Sequence, residues 1–257
     1  MYSTFVPIEM KLRYQDETFR LWGLPAGEDN IAWLLSHPSG DTLAVDAPAA
    51  DPVLALLKRE NLRLSRILLT HTHSDHTVGL ARLTRETGCP PPAFPPTGED
   101  ALFSGLRIRV LETSGHSPAD FSFHLPDLDL CFCGDTLFAG GCGRVFAGPH
   151  AKMWDSLLKL RNLPDATRLC MGHDYAIDNF SFARQQFPEM DIFARRLEEA
   201  RAARERRHIF APVTLGEEAR GNPMLMSDHP DIAAALGLVG TQPAGIFTHL
   251  REMRNLF

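Results

Sequence analysis

Thr70-His71-Thr72-His73-Ser74-Asp75-His76-Thr77 follows the apolar run Ile67-Leu68-Leu69, which reads as the end of a buried strand. Four side chains able to bind a metal leave that strand end within six residues: His71, His73, Asp75 and His76. Burying several unpaired polar groups together is costly. A bound divalent cation removes that cost, because imidazole and carboxylate lone pairs then have a partner. The stretch therefore predicts a metal centre at a strand end and raises the question of where else the chain delivers His or Asp.

It does so at three further strand ends. The apolar run Leu106 to Leu111 leads to Ser114-Gly115-His116, Leu128 to Cys133 leads to Gly134-Asp135-Thr136, and Arg168 to Met171 leads to Gly172-His173-Asp174. Each of these sits beside a glycine, which lets backbones approach closely. Loops held on a rigid scaffold are where chemistry usually sits. Four such ends on one sheet rim would make a polynuclear metal site.

Around these ends the pattern is α/β. Strands are expected at Phe19–Leu24, Ile31–Leu35, Thr42–Asp46, Arg66–Leu69 and Phe121–Leu125. A helix starts at Asp51-Pro52, with Asp51 as N-cap and Pro52 at the first helical position. A short helix is expected from Val78 to Glu86, irregular loop over residues 88–99, and a helix from Ala151 to Leu160. After Asp178 the chain turns helical. Phe180 to His208 is interrupted at Pro188, and its mixed arginines and glutamates, Arg196 among them, read as a solvated face. Thr214-Leu-Gly-Glu217 has the form of a capping box, and Asp231–Leu238 and Ile246–Leu256 are two further helices. The layout is an α/β domain over residues 1–177 followed by a smaller helical domain over 178–257.

Composition narrows the function classes. The 257 residues are 44% hydrophobic and carry a net charge of −6, enough for a core and too acidic for a chain dedicated to nucleic acid. No apolar run approaches the roughly 18 residues of a membrane span. Met1 to Glu17 is mixed and polar, without an apolar export signal. Five cysteines, odd in number and without a C-x-x-C pair, fit a reducing cytoplasm. Cys131 and Cys133 read as buried apolar residues. Gly141-Cys-Gly143 lacks the third glycine of a dinucleotide loop, and there is no G-x-S-x-G or P-loop. His37, His124, His150, His208, His229 and His249 have no role and read as surface residues.

The motif His71-x-His73-x-Asp75-His76 resembles the signature of the metallo-β-lactamase fold superfamily. The resemblance extends along nearly the whole chain and narrows to glyoxalase II, the hydroxyacylglutathione hydrolases. It is carried by Leu24-Pro-Ala-Gly-Glu-Asp-Asn30, Thr70–His76, Gly134-Asp-Thr-Leu-Phe-Ala-Gly-Gly-Cys-Gly-Arg144, Gly172-His-Asp-Tyr175, Asn222-Pro-Met224 and Leu250-Arg-Glu-Met-Arg-Asn-Leu-Phe257. It implies an αββα sandwich with a binuclear site and a helical C-terminal substrate-binding domain. His71, His73 and His116 would bind one divalent ion, Asp75, His76 and His173 the other, with Asp135 bridging. Zn²⁺ suits these donors; so do iron and manganese, and the metal's identity stays open. The implied reaction is hydrolysis of a glutathione thioester, such as S-D-lactoylglutathione, to glutathione and a 2-hydroxy acid. A hydroxide shared by the metals attacks the carbonyl, with Asp75 and Asp135 assigned to the catalytic step. Arg144, Tyr175, Arg251 and Arg254 match the family's glutathione-gripping positions, and two arginines three residues apart share a helix face.

The chain departs from the family pattern at several points. Arg144 stands where lysine is frequent, Phe146 where a tyrosine is often found, Thr77-Val78 where small residues are usual, and Asp120 where a second histidine often sits. Rival readings are a persulfide dioxygenase with mononuclear iron, a β-lactamase or nuclease of the superfamily, and a metal-binding module without turnover. The helical terminus with Arg251 and Arg254 speaks against the first, and the complete ligand set against the last. The expected partner is a small-molecule glutathione thioester, with no nucleic acid and no membrane, on a monomer or small homo-oligomer.

Overall fold

The computed structural model describes residues 5–92 and 100–257. Most of the expected loop at 88–99 therefore lies outside the described residues, as do Met1–Thr4. In chain order the elements of the first half are β1 (Ile8–Tyr14), β2 (Glu17–Ala26), β3 (Asn30–Ser36), β4 (Asp41–Val45), α1 (Ala50–Arg59), β5 (Arg63–Leu68), α2 (Ser74–Thr77) and α3 (Leu80–Thr87). Strands β1 to β5 form one sheet in sequence order, antiparallel except for the β4–β5 pair that α1 joins in parallel. Then come β6 (Asp100–Phe103), β7 (Leu106–Glu112), β8 (Phe121–Leu125), β9 (Leu130–Gly134), the hairpin β10 (Leu137–Phe138) and β11 (Gly141–Cys142), α4 (His150–Arg161) and β12 (Arg168–Met171). The chain continues through α5 (Ala176–Gln186), α6 (Asp191–Glu205), β13 (Val213–Thr214), α7 (Leu215–Gly221), α8 (Pro230–Ala235) and α9 (Pro243–Leu256). The second sheet runs β13-β12-β9-β8-β7-β6.

Alternation along the buried strands builds the layers. In β3, Ile31, Trp33 and Leu35 point into the space between the sheets, where they meet Ile108, Phe123, Leu125 and Phe132 from β7, β8 and β9. Ala32 and Leu34 of the same strand face Val53, Leu56 and Leu57 of α1 and Leu83 of α3. In the second sheet Cys131, Cys133, Leu169 and Met171 turn outward onto Met153, Trp154 and Leu157 of α4 and onto the C-terminal helices. Both sheets are thus covered on both faces, which is why their strands read as continuous apolar runs. The result is an αββα sandwich.

The expected boundary after residue 177 falls in the first turn of α5. Strand β13 pairs with β12, and Phe180, Leu225, Phe247 and Leu250 share one core cluster with α4. The helical part therefore closes one face of the sandwich.

Local differences from the sequence reading have identifiable causes. Strand β1 forms in a stretch that reads as polar, because it lies at a sheet edge with only Leu12 buried, although Ile8, Met10, Leu12 and Tyr14 alternate. Ala49 precedes α1 without a side-chain cap, so Asp51 is a first-turn acid rather than the N-cap and Pro52 lies two places inside the start. The helix expected over residues 78–86 is α3, which starts later, at Leu80. A separate short helix, α2, precedes it over Ser74–Thr77, and the break falls at Val78-Gly79, where Gly79 N donates to Ala47 O at 2.8 Å. Any Cβ at Gly79 would lie 2.8–2.9 Å from the backbone of Ala47 to Ala50. His124 is buried in β8 rather than at the surface. The face of α6 is not wholly solvated: Arg196 is buried, with its guanidinium over Phe180 and Phe210 and bonded to buried Glu218 at 2.6 Å. The capping box is formed, with Thr214 and Glu217 each bonding the other's backbone N–H. Among the described residues no helix is long and apolar enough to cross a membrane.

Candidate metal centre

All four sequence-predicted strand ends meet at one rim of the sandwich. His71 Nε2 and His116 Nε2 lie 3.1 and 3.0 Å from His73 Nδ1. Beside this group, His76 Nε2 and His173 Nε2 are 3.2 Å apart, and Asp75 Oδ2 is 3.6 and 3.3 Å from them. Asp135 stands between the two groups, its Oδ2 3.4 Å from both His116 Nε2 and His173 Nε2 and its Oδ1 3.3 Å from His76 Nε2. Close approach here requires glycine: a Cβ at Gly172 would overlap Asp135 Oδ1 and come within 2.7 Å of His76.

The aim of each ring is set from behind. His76 Nδ1 donates to Asp46 Oδ2 at 2.9 Å, His173 Nδ1 to Asp29 Oδ1 at 2.7 Å, and His116 Nδ1 to Arg144 O at 2.9 Å. His71 Nδ1 reaches Thr70 Oγ1 at 3.1 Å, and that hydroxyl donates to Asp46 Oδ2 at 2.8 Å. With Nδ1 protonated in these four rings, each Nε2 lone pair faces inward. His73 alone presents Nδ1. Asn30 Nδ2 steadies Asp75, the more exposed of the two carboxylates, at 3.3 Å.

This arrangement fits metal ions. Donors bound tetrahedrally at about 2.0–2.1 Å lie about 3.4 Å apart, close to the spacings within each group. Asp135 Oδ1 is buried with no hydrogen-bond partner, an acceptor that calls for a cation. Charge points the same way. Burial opposes protonation of His76, yet Asp46 and Asp135 outweigh it and push the ring up to about 10. Burial is likewise outweighed at His173, which Asp135, Asp29 and Asp75 push up to about 12. Asp135 stays well below the ordinary carboxylate range despite burial, because His173 and His76 face it. His173 is also the main reason that Asp75 is lowered. At His71 burial wins, aided by His76, and lowers the ring to about 4. The group of His76 and His173 thus holds positive charge strongly, so a divalent cation there competes with protons, whereas burial disfavours protonation of His71 and His116 in the other group.

Next to the cluster is a cavity of ≈ 200 Å³ whose wall contains Arg144, Tyr175, Arg251 and Arg254 together. Tyr175 stacks on His173, rings 4.8 Å apart and 7° from parallel, and so links cavity to cluster. Asn179 Oδ1 accepts from Arg254 Nε at 3.2 Å, and Cys142 O from Arg251 Nη1 at 2.7 Å. None of the three arginines pairs with a carboxylate among the described residues, and burial together with Arg251 lowers the pKa of Arg254. The cavity is short of negative charge.

A family model described as the metallo-beta-lactamase superfamily matches residues 24–99 and 90–173, and one described as the hydroxyacylglutathione hydrolase C-terminus matches 174–257. A hydroxyacylglutathione hydrolase of Rhodopseudomonas palustris is 41% identical over 249 residues, covering 90% of this chain and 96% of the relative. The chain belongs to the hydroxyacylglutathione hydrolase family. A hydroxyacylglutathione hydrolase of Nitrobacter winogradskyi is 39% identical over 88% of this chain and 94% of its own length. Among solved structures, ETHE1 from Myxococcus xanthus has a TM-score of 0.61 at 22% identity, covering 95% of this chain and 90% of that one, a likeness of fold. The BLEG-1 B3 metallo-beta-lactamase has the same TM-score and identity over 80% of this chain and 99% of its own. The superfamily fold implies divalent metal ions at such a cluster.

In this hydroxyacylglutathione hydrolase fold, the residues that sequence reasoning left without a role are those behind the ligands. Asp46, the residue directly after β4, has φ +61°, a left-handed conformation that Asp tolerates better than most residues. The only sequence signal at Asp46 is a carboxylate at the end of an apolar strand. Asp29 and Asn30 lie in the Leu24–Asn30 fragment that carries the family resemblance, but nothing in its spacing points at His173 or Asp75. Asp120, where a histidine is often found, accepts from the backbone N–H of Gly115 and Ser117 at 3.0 and 2.7 Å and shapes the turn that presents His116.

Proposed function

We propose that this chain hydrolyses glutathione thioesters, S-2-hydroxyacylglutathiones such as S-D-lactoylglutathione, to glutathione and a 2-hydroxy acid. The observation that carries the reading is the stack of Tyr175 on His173, which sets an arginine-lined cavity directly beside a double donor cluster. One divalent ion is assigned to His71, His73 and His116, the other to Asp75, His76 and His173, with Asp135 serving both. Zinc is the ion proposed, and iron or manganese would be accepted by the same donors. Residues 1–177 form the catalytic part and 178–257 the part that brings Arg251 and Arg254 to the substrate. Five buried, free cysteines support a cytoplasmic setting.

Two divalent ions held by these donors would lower the pKa of a bound water toward neutrality and polarise the acyl carbonyl. The protein's task is positioning. Arg251 and Arg254 clamp the carboxylates of the peptide through charge-assisted hydrogen bonds, and Arg144 adds a third cation. Asp135 Oδ2, equidistant from the two groups, keeps them in one fixed relation. The water releases one proton to solvent and its oxygen adds to the acyl carbon. The carbon–sulfur bond breaks with its electron pair leaving on the sulfur as thiolate, and the new carboxylic acid gives its proton to solvent to become the carboxylate, so no proton donor is required. Burial pushes the Tyr175 hydroxyl up to about 12, so it stays protonated and donates a hydrogen bond to bound substrate. Phe146 brings no hydroxyl to the site; its ring packs edge-on against His116 and His73.

The test is loss of S-lactoylglutathione absorbance, before and after chelation, alongside metal analysis. Activity is expected to vanish with chelator and return with Zn²⁺. A protein with two metals bound that leaves every glutathione thioester intact would overturn the substrate assignment. The ring supports make a separate prediction. Asp46→Ala frees one histidine from each group and is expected to weaken both metals about 10- to 100-fold, whereas Asp29→Ala should weaken only the one held by His173. Competition titration with a chromogenic chelator separates the two outcomes.

A further inference from the structure

A second cavity, of ≈ 400 Å³, shares Tyr175 with the arginine-lined one and includes Glu28, Asp29, Pro48, Asp75, Val78 and His173 in its wall. The two cavities have opposite polarity. The first has three arginines and no acid; the second has three acids and neither Lys nor Arg. Two of those acids are committed, Asp29 to His173 Nδ1 and Asp75 to the donor cluster. Glu28 forms no hydrogen bond or ion pair among the described residues and is the one uncommitted charge. Val78, two residues beyond His76, is 72% exposed and with Pro48 supplies an apolar wall.

A thioester places its peptide and its acyl group on opposite sides of one sulfur. With the peptide carboxylates at Arg251 and Arg254, and with Asp75 and His173 in the wall of the second cavity, the acyl group extends into that cavity. Resting on the thioesterase reading above, we infer that the second cavity is the acyl site and that Glu28 and Val78 select the acyl group. Short, uncharged, hydroxyl-bearing acyl groups are accepted. Groups ending in a carboxylate are repelled by Glu28, and bulky ones meet Val78.

The experiment compares kcat/KM for S-lactoyl-, S-succinyl- and S-mandeloylglutathione in the native enzyme and in Glu28→Gln, Glu28→Lys and Val78→Ala. Both positions are exposed, so the fold is retained, which circular dichroism checks. Reversing the charge is expected to raise the succinyl-to-lactoyl ratio about five-fold or more, with Glu28→Gln in between. Val78→Ala is expected to raise the mandeloyl-to-lactoyl ratio about three-fold, less than in an enclosed pocket. Inhibition by glutathione alone, which reads the arginine cavity, should be the same in all four proteins. Unmoved ratios in an enzyme that hydrolyses lactoylglutathione would overturn the acyl site and spare the thioesterase reading. A native enzyme inert toward all three thioesters would sink both.

Discussion

Asp135→Ala is expected to cost both metal ions and to lower kcat/KM by about 10³-fold or more, equivalent to about 4 kcal/mol of transition-state stabilisation. The reason is geometric. Asp135 is the proposed bridging ligand, its Oδ2 within 3.4 Å of a nitrogen in each group, and it is buried, so no water can take over its two contacts without rearrangement. Asp75→Ala makes the informative contrast. Asp75 belongs to one group only, and its side chain is 47% exposed on the short helix α2, so its loss should release one ion while His71, His73 and His116 keep the other. Metal content per chain, measured on both variants beside the native protein, decides the matter. Equal loss of both ions in Asp75→Ala would contradict the division into two groups, and two ions retained in Asp135→Ala would remove its bridging role.

The second large effect is on stability. Glu218→Ala is expected to destabilise the protein by about 3–5 kcal/mol, because breaking a buried ion pair leaves its partner's charge uncompensated. Glu218 is fully buried and its carboxylate is shared among Arg196, the backbone N–H of Gly140 and the amide of Asn222, at 2.6, 2.8 and 3.0 Å. Burial pushes its pKa up, while Arg196 and the two N–H donors oppose this. Asn222 in turn donates to Phe138 O and Gly141 O, so the pair anchors the β10–β11 hairpin, which leads through Cys142 to Arg144. In thermal unfolding, with about 2–4 °C per kcal/mol for a domain of this size, the midpoint should fall by roughly 10 °C. The double variant Arg196→Met, Glu218→Leu removes both charges and should regain most of the loss. If the double variant is no more stable than Glu218→Ala, the cost lies in the lost hairpin contacts rather than in the stranded charge.

The link from Arg144 to His116 shows why part of the site was legible and part was not. All seven side chains proposed as metal ligands were readable because they follow the ends of strands, and a strand's apolar run announces where its end falls. The family fragments added Arg144, Tyr175, Arg251 and Arg254, which the fold brings into the wall of one cavity. Residues acting from behind were not readable. Asp46 serves two rings that lie 25 and 30 positions away in sequence, one of them through Thr70, and Asp29 reaches across 144 positions to His173. No periodicity or spacing encodes such a contact, because it exists only once the two sheets have packed.

The same reason separates the rest. Local order is written in short-range patterns: the runs that become β2 to β5 and β7 to β9, the capping box at Thr214, and the cluster that opens at His71. These depend on neighbours within a few residues, so the sequence by itself determined them. Burial of Arg196 and His124, the edge strand β1 and the sharing of Asp135 between two donor groups depend on which distant surface comes to lie opposite. Only tertiary packing decides that, and with it the opposite polarity of two cavities that meet at Tyr175.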